Sequence, residues 1–256
     1  MLRRRLPWPT MNKLASPITY PWKMLSEKFS DWRGTRILSR LEGGDHWNDI
    51  GINQFNFLVG EGLKPHHYLL DVACGSFRAG RLLIPYMEKG HYFGFDRSRK
   101  HLDAGMRYVL KPLQLIAKKP FIQQIELTES GHDYARKLGW SQFNFIWVHA
   151  VLDHMPHPVI RQCLKDFSRI LNPGGHLYAT IFLNPYGPDY SEPILHLRNG
   201  SSERAVFTHP DKEYWHHTIQ FFEETISEIS GLKLEGCLSS YPHPLGLQVL
   251  KFTCQI

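Results

Sequence analysis

Four residues with almost no side chain separate an apolar run from a segment with helical spacing. The stretch YLLDVACGSFRAGRLLIPYM opens at Tyr68 and places Ala73, Cys74, Gly75 and Ser76 ahead of that segment. A strand, a tight turn and a helix with bare backbone at the turn are what a ligand needs in order to lie against the main chain. The stretch therefore predicts a ligand-binding turn, with an ordinary strand–helix turn as the alternative interpretation.

A second group of residues suited to chemistry follows another apolar run, FNFIWV. His149, Asp153 and His154 all lie in the next six residues, HAVLDH. His154 could serve as a general base because histidine titrates near neutrality. His149, directly after the run, would line a reaction pocket. A structural, hydrogen-bonded histidine is an equally good interpretation of each one.

A zinc site is the alternative for the same region, because His149, His154, His157 and Cys163 are metal-ligand residue types. Their spacing is not a known zinc-ligand pattern, and a helix at Pro158 would split the set. The cysteines, at positions 74, 163, 237 and 254, form no C-x-x-C pair. We therefore expect no metal, and reduced cysteines buried in the core.

The elements that must position these residues alternate between strand and helix patterns. Five apolar or β-branched runs predict strands, and helical spacing follows the first four. The runs are YLLDVA, HYFGFD, PFIQQIEL, FNFIWV and HLYATIFL. After a helix around Thr218–Ser230, LKLEGCL and LQVLKFTCQI are joined too closely for a crossover helix, so they should pair antiparallel. The pattern predicts an α/β fold with a doubly wound, mostly parallel seven-stranded sheet and a C-terminal antiparallel hairpin.

Four segments, in order, resemble the class I, Rossmann-like S-adenosylmethionine-dependent methyltransferases, especially bacterial members that act on small molecules. LLDVACG is similar to the family's first motif, with Ala73 at the place of its first glycine, and HYFGFD to the second strand with its ribose-binding acid. FNFIWVHAVLDHM and LNPGGHLYATIF are similar to the fourth strand with its loop and to the turn into the fifth strand. This resemblance covers residues 68–256. More loosely, GGDHWNDIGINQFNFLVGEGLKP resembles an N-terminal helix that covers the cofactor.

The resemblance implies S-adenosylmethionine as cofactor, with Asp96 accepting hydrogen bonds from both ribose hydroxyls. Asp71 would brace the turn or face the cofactor's amino group, and Arg78 or Arg81 would meet its methionine carboxylate. The implied cofactor-binding residues are Asp71, Ala73, Cys74, Gly75, Ser76, Arg78, Asp96, Arg97, Glu126 and His149. The implied catalytic residues, at the carboxyl edge of the sheet, are His149, Asp153 and His154. Because the Asp96 carboxylate would serve the ligand, we expect its removal to cost little stability.

Adenine should lie near the end of the third strand. Glu126 is one candidate for its contact, and the region His132–Tyr134 is an equal one, since the register of that strand is open. The chain departs from the family at Phe77, where many members have a third glycine, which predicts a less bare turn. Pro85 falls about two turns into the following helix and predicts a kink there.

About thirty residues, 184–214, are rich in Pro, Gly and Ser and show no regular pattern. Long loops of this kind are often lids. Tyr186, Tyr190 and Tyr214, with the neighbouring Trp215, His216 and His217, favour a lid that shapes the acceptor pocket. A variable surface loop is the alternative.

Residues 67–256 are expected to form one domain, preceded by a helical segment, residues 41–66, and a basic arm, residues 1–40. The arm holds nine Lys and Arg and two Asp and Glu, whereas residues 41–256 hold 21 and 22. Such an arm could touch RNA, an acidic partner or a membrane surface, but a solvated terminus is favoured. No apolar run is long enough to span a membrane, and prolines interrupt any signal-peptide core, so a cytoplasmic protein is expected.

The expected acceptor is a small molecule, or a glycan or lipid-linked intermediate, methylated on O or N by in-line displacement. HAVLDHM lacks the Asn/Asp-Pro-Pro-Tyr/Phe segment of enzymes that methylate base amino groups, and no basic groove is evident, so nucleic acid is disfavoured. One alternative is a regulator that binds S-adenosylmethionine without turnover. Another is a nicotinamide-dependent oxidoreductase, which the absence of a GxGxxG turn disfavours.

Overall fold

The computed structural model describes residues 33–41, 46–198, 201–238 and 241–255. Most of the predicted basic arm and residues 42–45 of the predicted covering segment lie outside these ranges. In chain order the strands are β1 (Leu69–Val72), β2 (Tyr92–Asp96), β3 (Phe121–Gln124), β4 (Phe143–Val148), β5 (Leu171–Ile181), β6 (Ile194–Arg198), β7 (Ser201–Thr208), β8 (Leu232–Leu238) and β9 (Gln248–Cys254).

The helices flank these strands along the chain. They are α1 (Arg33–Leu41), α2 (Trp47–Gly60), α3 (Gly80–Tyr86), α4 (Arg99–Gly105), α5 (Tyr134–Leu138), α6 (His157–Ser168) and α7 (Ile219–Ser227). A π-helical turn, Met106–Leu110, continues α4, and short 3-10 helices cover Leu115–Lys118 and Leu152–His154. Within the described residues, no helix is both long and apolar enough to cross a bilayer.

Seven strands form one sheet in the order β3-β2-β1-β4-β5-β9-β8. The first five pair in parallel, whereas β9 runs antiparallel to both β5 and β8. This confirms the predicted doubly wound sheet and its C-terminal antiparallel hairpin. Because β1 lies between β2 and β4, the chain order reverses there, and such a switch point opens a crevice at the carboxyl ends of the strands.

Each face of the sheet carries its own apolar core, which explains why β1 is buried along its whole length. On one face, α5, α6 and α7 supply buried residues such as Leu138, Phe167 and Phe222. On the other, α1 to α4 supply Leu38, Leu58 and Leu83 among others. A strand covered on both faces needs a continuous apolar run rather than an alternating one, as the sequence has.

Proline and glycine residues near the ends of two helices have other places in the structure than the sequence suggested. The helix after the turn begins at Gly80, and Pro85 is its penultimate residue. The predicted kink is therefore wrong: Met87 is already extended, with ψ 155°, so the helix ends there. Similarly, α6 ends at Ser168, and residues 172–175, which resembled a turn into the fifth strand, belong to β5 itself.

The insertion, residues 184–214, is not irregular as predicted, because β6 and β7 form a separate antiparallel hairpin within it. Ile194 pairs with Thr208 and Leu195 with Phe207. Side chains alternate along β6, so that Ile194 and His196 are buried while Leu195 and Leu197 are exposed. The flanking Pro and Gly residues hide this short period-two pattern in the sequence.

The cysteines only half match their expected place in the core. All four are free thiols, and Cys74 and Cys163 are buried. Cys237 and Cys254, on β8 and β9, are only partly buried. The expectation was wrong for this pair because they lie on the two strands that close one end of the sheet.

Candidate active site

The turn after β1 is built from left-handed backbone. Ala73 has φ 54°, Gly75 φ 56° and Phe77 φ 64°. The N–H of Cys74 donates to the Phe95 carbonyl over 2.9 Å, which joins the start of the turn to β2. Left-handed conformations are easy for glycine and cost energy at Ala73 and Phe77, and strain of this kind is concentrated at ligand sites.

Asp96 ends β2, as predicted, and its carboxylate holds the turn. The N–H of Gly75 donates to Oδ2 over 3.0 Å, and the N–H of Ser98 donates to Oδ1 over 2.7 Å. Each carboxylate oxygen has further lone pairs, so two more donors could still be accepted. The expectation that Asp96 serves only a ligand is therefore wrong: this buried carboxylate also joins two loops of the fold.

Asp71 lies one layer below the turn and binds a tyrosine. The Tyr92 hydroxyl donates to its Oδ2 over 2.6 Å, and both residues are buried. Burial, and then the Asp71 charge, raise the pKa of Tyr92 well above its usual value, so the phenol stays protonated and donates. Asp71 therefore links β1 to the start of β2, and its predicted bracing of the turn and its predicted contact with a cofactor amino group stay predictions.

Phe77 does not crowd the turn, contrary to expectation. Its side chain is fully buried, and its ring packs so close to Gly105 in α4 that a Cβ there would lie 2.5 Å from Cδ2. Gly80 is also close to Phe77, since a Cβ added at Gly80 would lie 2.9 Å from the Phe77 Cβ. The ring therefore enters the core, and the backbone of the turn remains bare.

Helix α2 packs directly on the turn. A Cβ on Gly51 would lie only 2.5 Å from the Arg78 carbonyl oxygen. Arg81 donates to the Asn48 carbonyl over 3.1 Å and lies over the Trp47 ring at 5.2 Å, and burial lowers its pKa to about 10. Arg81 thus contacts α2, whereas the Arg78 side chain reaches His149 at the end of β4.

His149 follows β4 and lies beside Arg78. Arg78 Nη2 is 3.3 Å from His149 Nδ1, and the imidazole is only 6% exposed. Burial first, and then the charges of Arg78 and His243, hold the pKa of His149 well below its ordinary value. The imidazole is therefore neutral at physiological pH.

Asp153 and His154 lie in a different environment from His149. Burial raises the pKa of Asp153, whose Oδ2 is 3.5 Å from His154 Nε2. His154 Nδ1 is 2.5 Å from Glu213 Oε1, and the imidazole lies edge-on to Tyr214. The cluster predicted from HAVLDH is thus divided, and its second half is paired with the insertion.

Glu213 had no predicted role, yet it contacts a predicted catalytic histidine. A second link joins the same segments, because the Trp215 N–H donates to the Asp153 carbonyl over 2.8 Å. The end of the insertion is therefore held against the loop after β4. Its content of aromatic and histidine residues was the only signal in the sequence.

Tyr241 and His243 are the second omission, since the connection SSYPHPLG was interpreted only as a link between strands. The Tyr241 ring lies 5.7 Å from that of His149, and the His243 ring lies 5.5 Å from it. Both side chains are buried. The connection between β8 and β9 therefore contributes to the site at the carboxyl end of β4.

The predicted adenine contacts lie at the β3 side of the sheet. Glu126 is exposed two residues beyond β3, and Arg97 is exposed just after β2, where its carbonyl accepts from Gln124 Nε2 over 2.9 Å. The alternative region is more constrained: the His132 N–H donates to Asp166 Oδ2, and Asp133 caps α5 by accepting from the Arg136 N–H. Both regions stay open as predictions.

Within the described ranges, no group of three or more His, Cys, Asp or Glu side chains is placed to hold a metal ion. His157, a member of the alternative zinc set, instead stacks on Phe221 with ring centroids 3.7 Å apart.

Comparison with known proteins agrees with the motifs on a methyltransferase domain. Residues 70–177 match a family described as a methyltransferase domain. Magnesium protoporphyrin IX methyltransferase from Synechocystis PCC 6803, solved with S-adenosylhomocysteine, has TM-score 0.57 at 12% identity, over 91% of this chain and 100% of that one. A glycopeptide N-methyltransferase solved with S-adenosylmethionine has TM-score 0.55 at 11% identity, over 80% and 94%.

A third similar structure is an S-adenosylmethionine-dependent methyltransferase from Clostridium acetobutylicum ATCC 824. It has TM-score 0.55 at 16% identity, over 86% of this chain and 95% of that one. At these identities the likeness shows the fold, and the family match covers β1 to β5 with the turn and Asp96. Residues 70–177 thus match a methyltransferase domain, and the strand order agrees with the fold of the class I, Rossmann-like S-adenosylmethionine-dependent methyltransferases.

Proposed function

We propose that this chain transfers a methyl group from S-adenosylmethionine to an oxygen or nitrogen atom of a small molecule, or of a glycan or lipid-linked intermediate. The observation that supports it most directly is the link between the turn and Asp96. The bare backbone of Gly75 is held against a carboxylate that retains lone pairs for two further donors. A ribose supplies two such hydroxyls.

The residues present fit the cofactor. Asp96 would hold the ribose, the backbone of residues 73–76 would lie against the cofactor, and Arg78 would bind its carboxylate. Glu126 or the His132–Tyr134 region would lie near adenine. When bound, S-adenosylmethionine supplies an electrophilic methyl group and a neutral leaving group, so the protein's main task is alignment, worth up to roughly 7–11 kcal/mol.

His154 is the residue best suited to take a proton from an acceptor that arrives protonated. Its Nδ1 is paired with Glu213, an arrangement in which a carboxylate orients the imidazole. Its side chain is about one-third exposed, so it can exchange protons with solvent. Asp153 lies on the other side of the ring, 3.5 Å from Nε2.

The insertion, residues 184–214, would then act as a lid over the acceptor. The contacts of Glu213 with His154 and of Trp215 with Asp153 support this role, because they join its end to the loop after β4. The near balance of charge in residues 41–256 supports a small-molecule acceptor over nucleic acid, and we propose a cytoplasmic site of action.

The test is a transfer assay with methyl-labelled S-adenosylmethionine and a small-molecule extract of cells. We expect label in the small-molecule fraction and none in nucleic acid. Binding of the cofactor with no transfer to any fraction would instead favour a non-catalytic regulator.

A further inference from the structure

Two buried aromatic side chains that are neighbours at the end of β4 each carry a polar atom with no hydrogen-bond partner among the described residues. Among the described residues, neither His149 Nε2 nor the Tyr241 hydroxyl makes a hydrogen bond. The side chains are 6% and 3% exposed, and their ring centroids are 5.7 Å apart. Buried polar groups in native proteins are normally hydrogen-bonded. Two unpaired groups on neighbouring rings therefore indicate a binding place for a polar group from outside the chain.

The hydrogen-bonding capacity of these atoms follows from their neighbours. A guanidinium has no acceptor, so His149 Nδ1, 3.3 Å from Arg78 Nη2, must itself accept. Because the pKa of His149 is held well below its usual value, the imidazole carries one proton, and that proton is on Nε2. Burial raises the pKa of Tyr241, so its hydroxyl also keeps its proton. Both orphan atoms are therefore donors.

The surroundings of the pair are positive or neutral. The side chains packed on the His149 ring are Arg78, Trp147, Tyr241 and His243. His243 Nδ1 accepts from the Leu245 N–H over 3.3 Å, so this ring also carries its proton on Nε2. An ammonium group would find an acceptor only in the Tyr241 hydroxyl oxygen, and the guanidinium of Arg78 would repel it. A carboxylate, which only accepts hydrogen bonds and is negative, matches two donors beside a guanidinium.

The position in the sheet separates this pair from the ribose side of the site. His149 follows β4, and Tyr241 precedes β9, whereas Asp96 ends β2 on the other side of β1. The ring centroid of Phe57, in α2, lies 5.4 Å from that of Trp147 and 5.3 Å from that of Tyr241. Apolar rings therefore surround His149 and Tyr241.

Resting on the proposed function, we propose that His149 and Tyr241 bind a carboxylate of the methyl acceptor. The acceptor is then a carboxylate-bearing small molecule with an apolar body. Arg78 is a positioning residue here as well as a cofactor ligand, because it fixes the His149 tautomer.

The experiment uses the full chain saturated with S-adenosylhomocysteine and three probes with the same ring: benzoate, benzyl alcohol and benzylamine. Calorimetry should show benzoate binding about tenfold or more tighter than the other two, the value of one charge-assisted hydrogen bond. Tyr241→Phe should lose most of that preference and keep its affinity for S-adenosylhomocysteine. Tyr178→Phe is the matched control, since that hydroxyl pairs with Glu61 over 3.0 Å, and should change neither affinity.

A second measurement is independent of any probe. Nitrogen-15 NMR of labelled histidine should find the His149 proton on Nε2, and a proton on Nδ1 would overturn the proposal. So would equal binding of benzylamine, absence of benzoate binding, or an unchanged benzoate preference in Tyr241→Phe. If Tyr241→Phe weakens S-adenosylhomocysteine instead, the pair serves the cofactor's own carboxylate and the proposal is wrong. Failure of the parent protein to bind S-adenosylhomocysteine would refute the proposed function itself, and this proposal with it.

Discussion

The backbone N–H of Gly75 lies 3.0 Å from Asp96 Oδ2, so the end of β2 holds the turn that follows β1. The same carboxylate accepts from Ser98, at the start of the next helix. One side chain therefore fixes two loops at the carboxyl edge of the sheet before any ligand arrives. A site organised in this way loses less entropy when it binds.

Replacing Asp96 by Ala should harm both binding and stability. Hydrogen bonds to a charged group are worth roughly 1.5–3 kcal/mol, so affinity for S-adenosylmethionine should fall by about ten- to a hundredfold. The Gly75 and Ser98 N–H groups would also lose their partner, which should cost about 1–3 kcal/mol of unfolding free energy. Calorimetry and urea denaturation measure the two effects.

Asp96→Asn should fall between Asp96→Ala and the parent, because it keeps an oxygen acceptor and loses the charge. Asp103→Ala is the matched control, since this carboxylate pairs with Arg99 on the surface and should matter little. Unchanged affinity in Asp96→Ala would show that the ribose lies elsewhere.

A methyl group added at Gly51 should disturb the contact between α2 and the turn. The new Cβ would lie 2.5 Å from the Arg78 carbonyl oxygen, and the backbone must shift to accommodate it. We expect a loss of roughly 1–3 kcal/mol of stability, with weaker cofactor binding, because the turn moves. Thermal unfolding with and without S-adenosylmethionine measures both.

The control for this substitution lies in the same helix. Gly60 has nothing within 4 Å of a built Cβ, so Gly60→Ala should be neutral or slightly stabilising. Equal behaviour of the two variants would mean that α2 does not press on the turn in solution.

The sheet could be predicted because the same strand-and-helix pattern repeats along the sequence. Five apolar runs separated by helical segments leave few topologies, and the short connection before β9 requires an antiparallel pair. Asp96 could be placed because it directly follows the buried run of β2. The structural role of Asp96 could not be predicted, because a hydrogen bond between positions 75 and 96 leaves no local pattern in the sequence.

Contacts between side chains of distant loops could not be predicted from the sequence. Glu213 reaches His154 across 59 positions, and Tyr241 reaches His149 across 92. Neither pair has a spacing rule, because the contact depends on how two loops pack at one edge of the sheet. Phe77 shows the reverse case: its type suggested a crowded turn, but Gly80 and Gly105 make room for its ring in the core.

Removal of the hairpin should separate acceptor chemistry from cofactor binding. Ile194 and Thr208 are paired, so residues 195–207 can be replaced by Asn-Gly, the dipeptide suited to a two-residue hairpin. Transfer of labelled methyl groups to the small-molecule extract should be lost, while cofactor affinity stays within about a few-fold, because the end of the insertion contacts the loop after β4. Full transfer by the shortened protein would make the hairpin a surface element only.

Cofactor binding should not depend on a metal ion. The groups suited to bind the cofactor are backbone N–H groups, the Asp96 carboxylate and the Arg78 guanidinium, none of which needs a bridging cation. Titration of S-adenosylmethionine with and without a chelator should give the same affinity. A loss of binding on chelation would instead favour a metal site at the histidines after β4.

Mild acid should destabilise the protein through its buried histidines. His217 is 1% exposed, its Nε2 donates to the Leu152 carbonyl over 2.9 Å, and burial lowers its pKa to about 3. The unfolded chain takes up a proton near the ordinary histidine pKa of about 6.5, whereas the folded chain does not. Stability from this residue is therefore complete above pH 6.5 and is lost as pH falls from 6.5 towards 3.

At pH 5.5 the loss should be about 1.4 kcal/mol for His217, and His149, whose pKa shift has the same direction, should add to it. Urea denaturation at pH 7.5 and 5.5 measures the total. His217→Gln can keep a donor for the Leu152 carbonyl but cannot titrate, so it should reduce the difference between the two pH values by about 1.4 kcal/mol. An undiminished pH difference in His217→Gln would contradict the assignment, because the proton uptake would then belong to other groups.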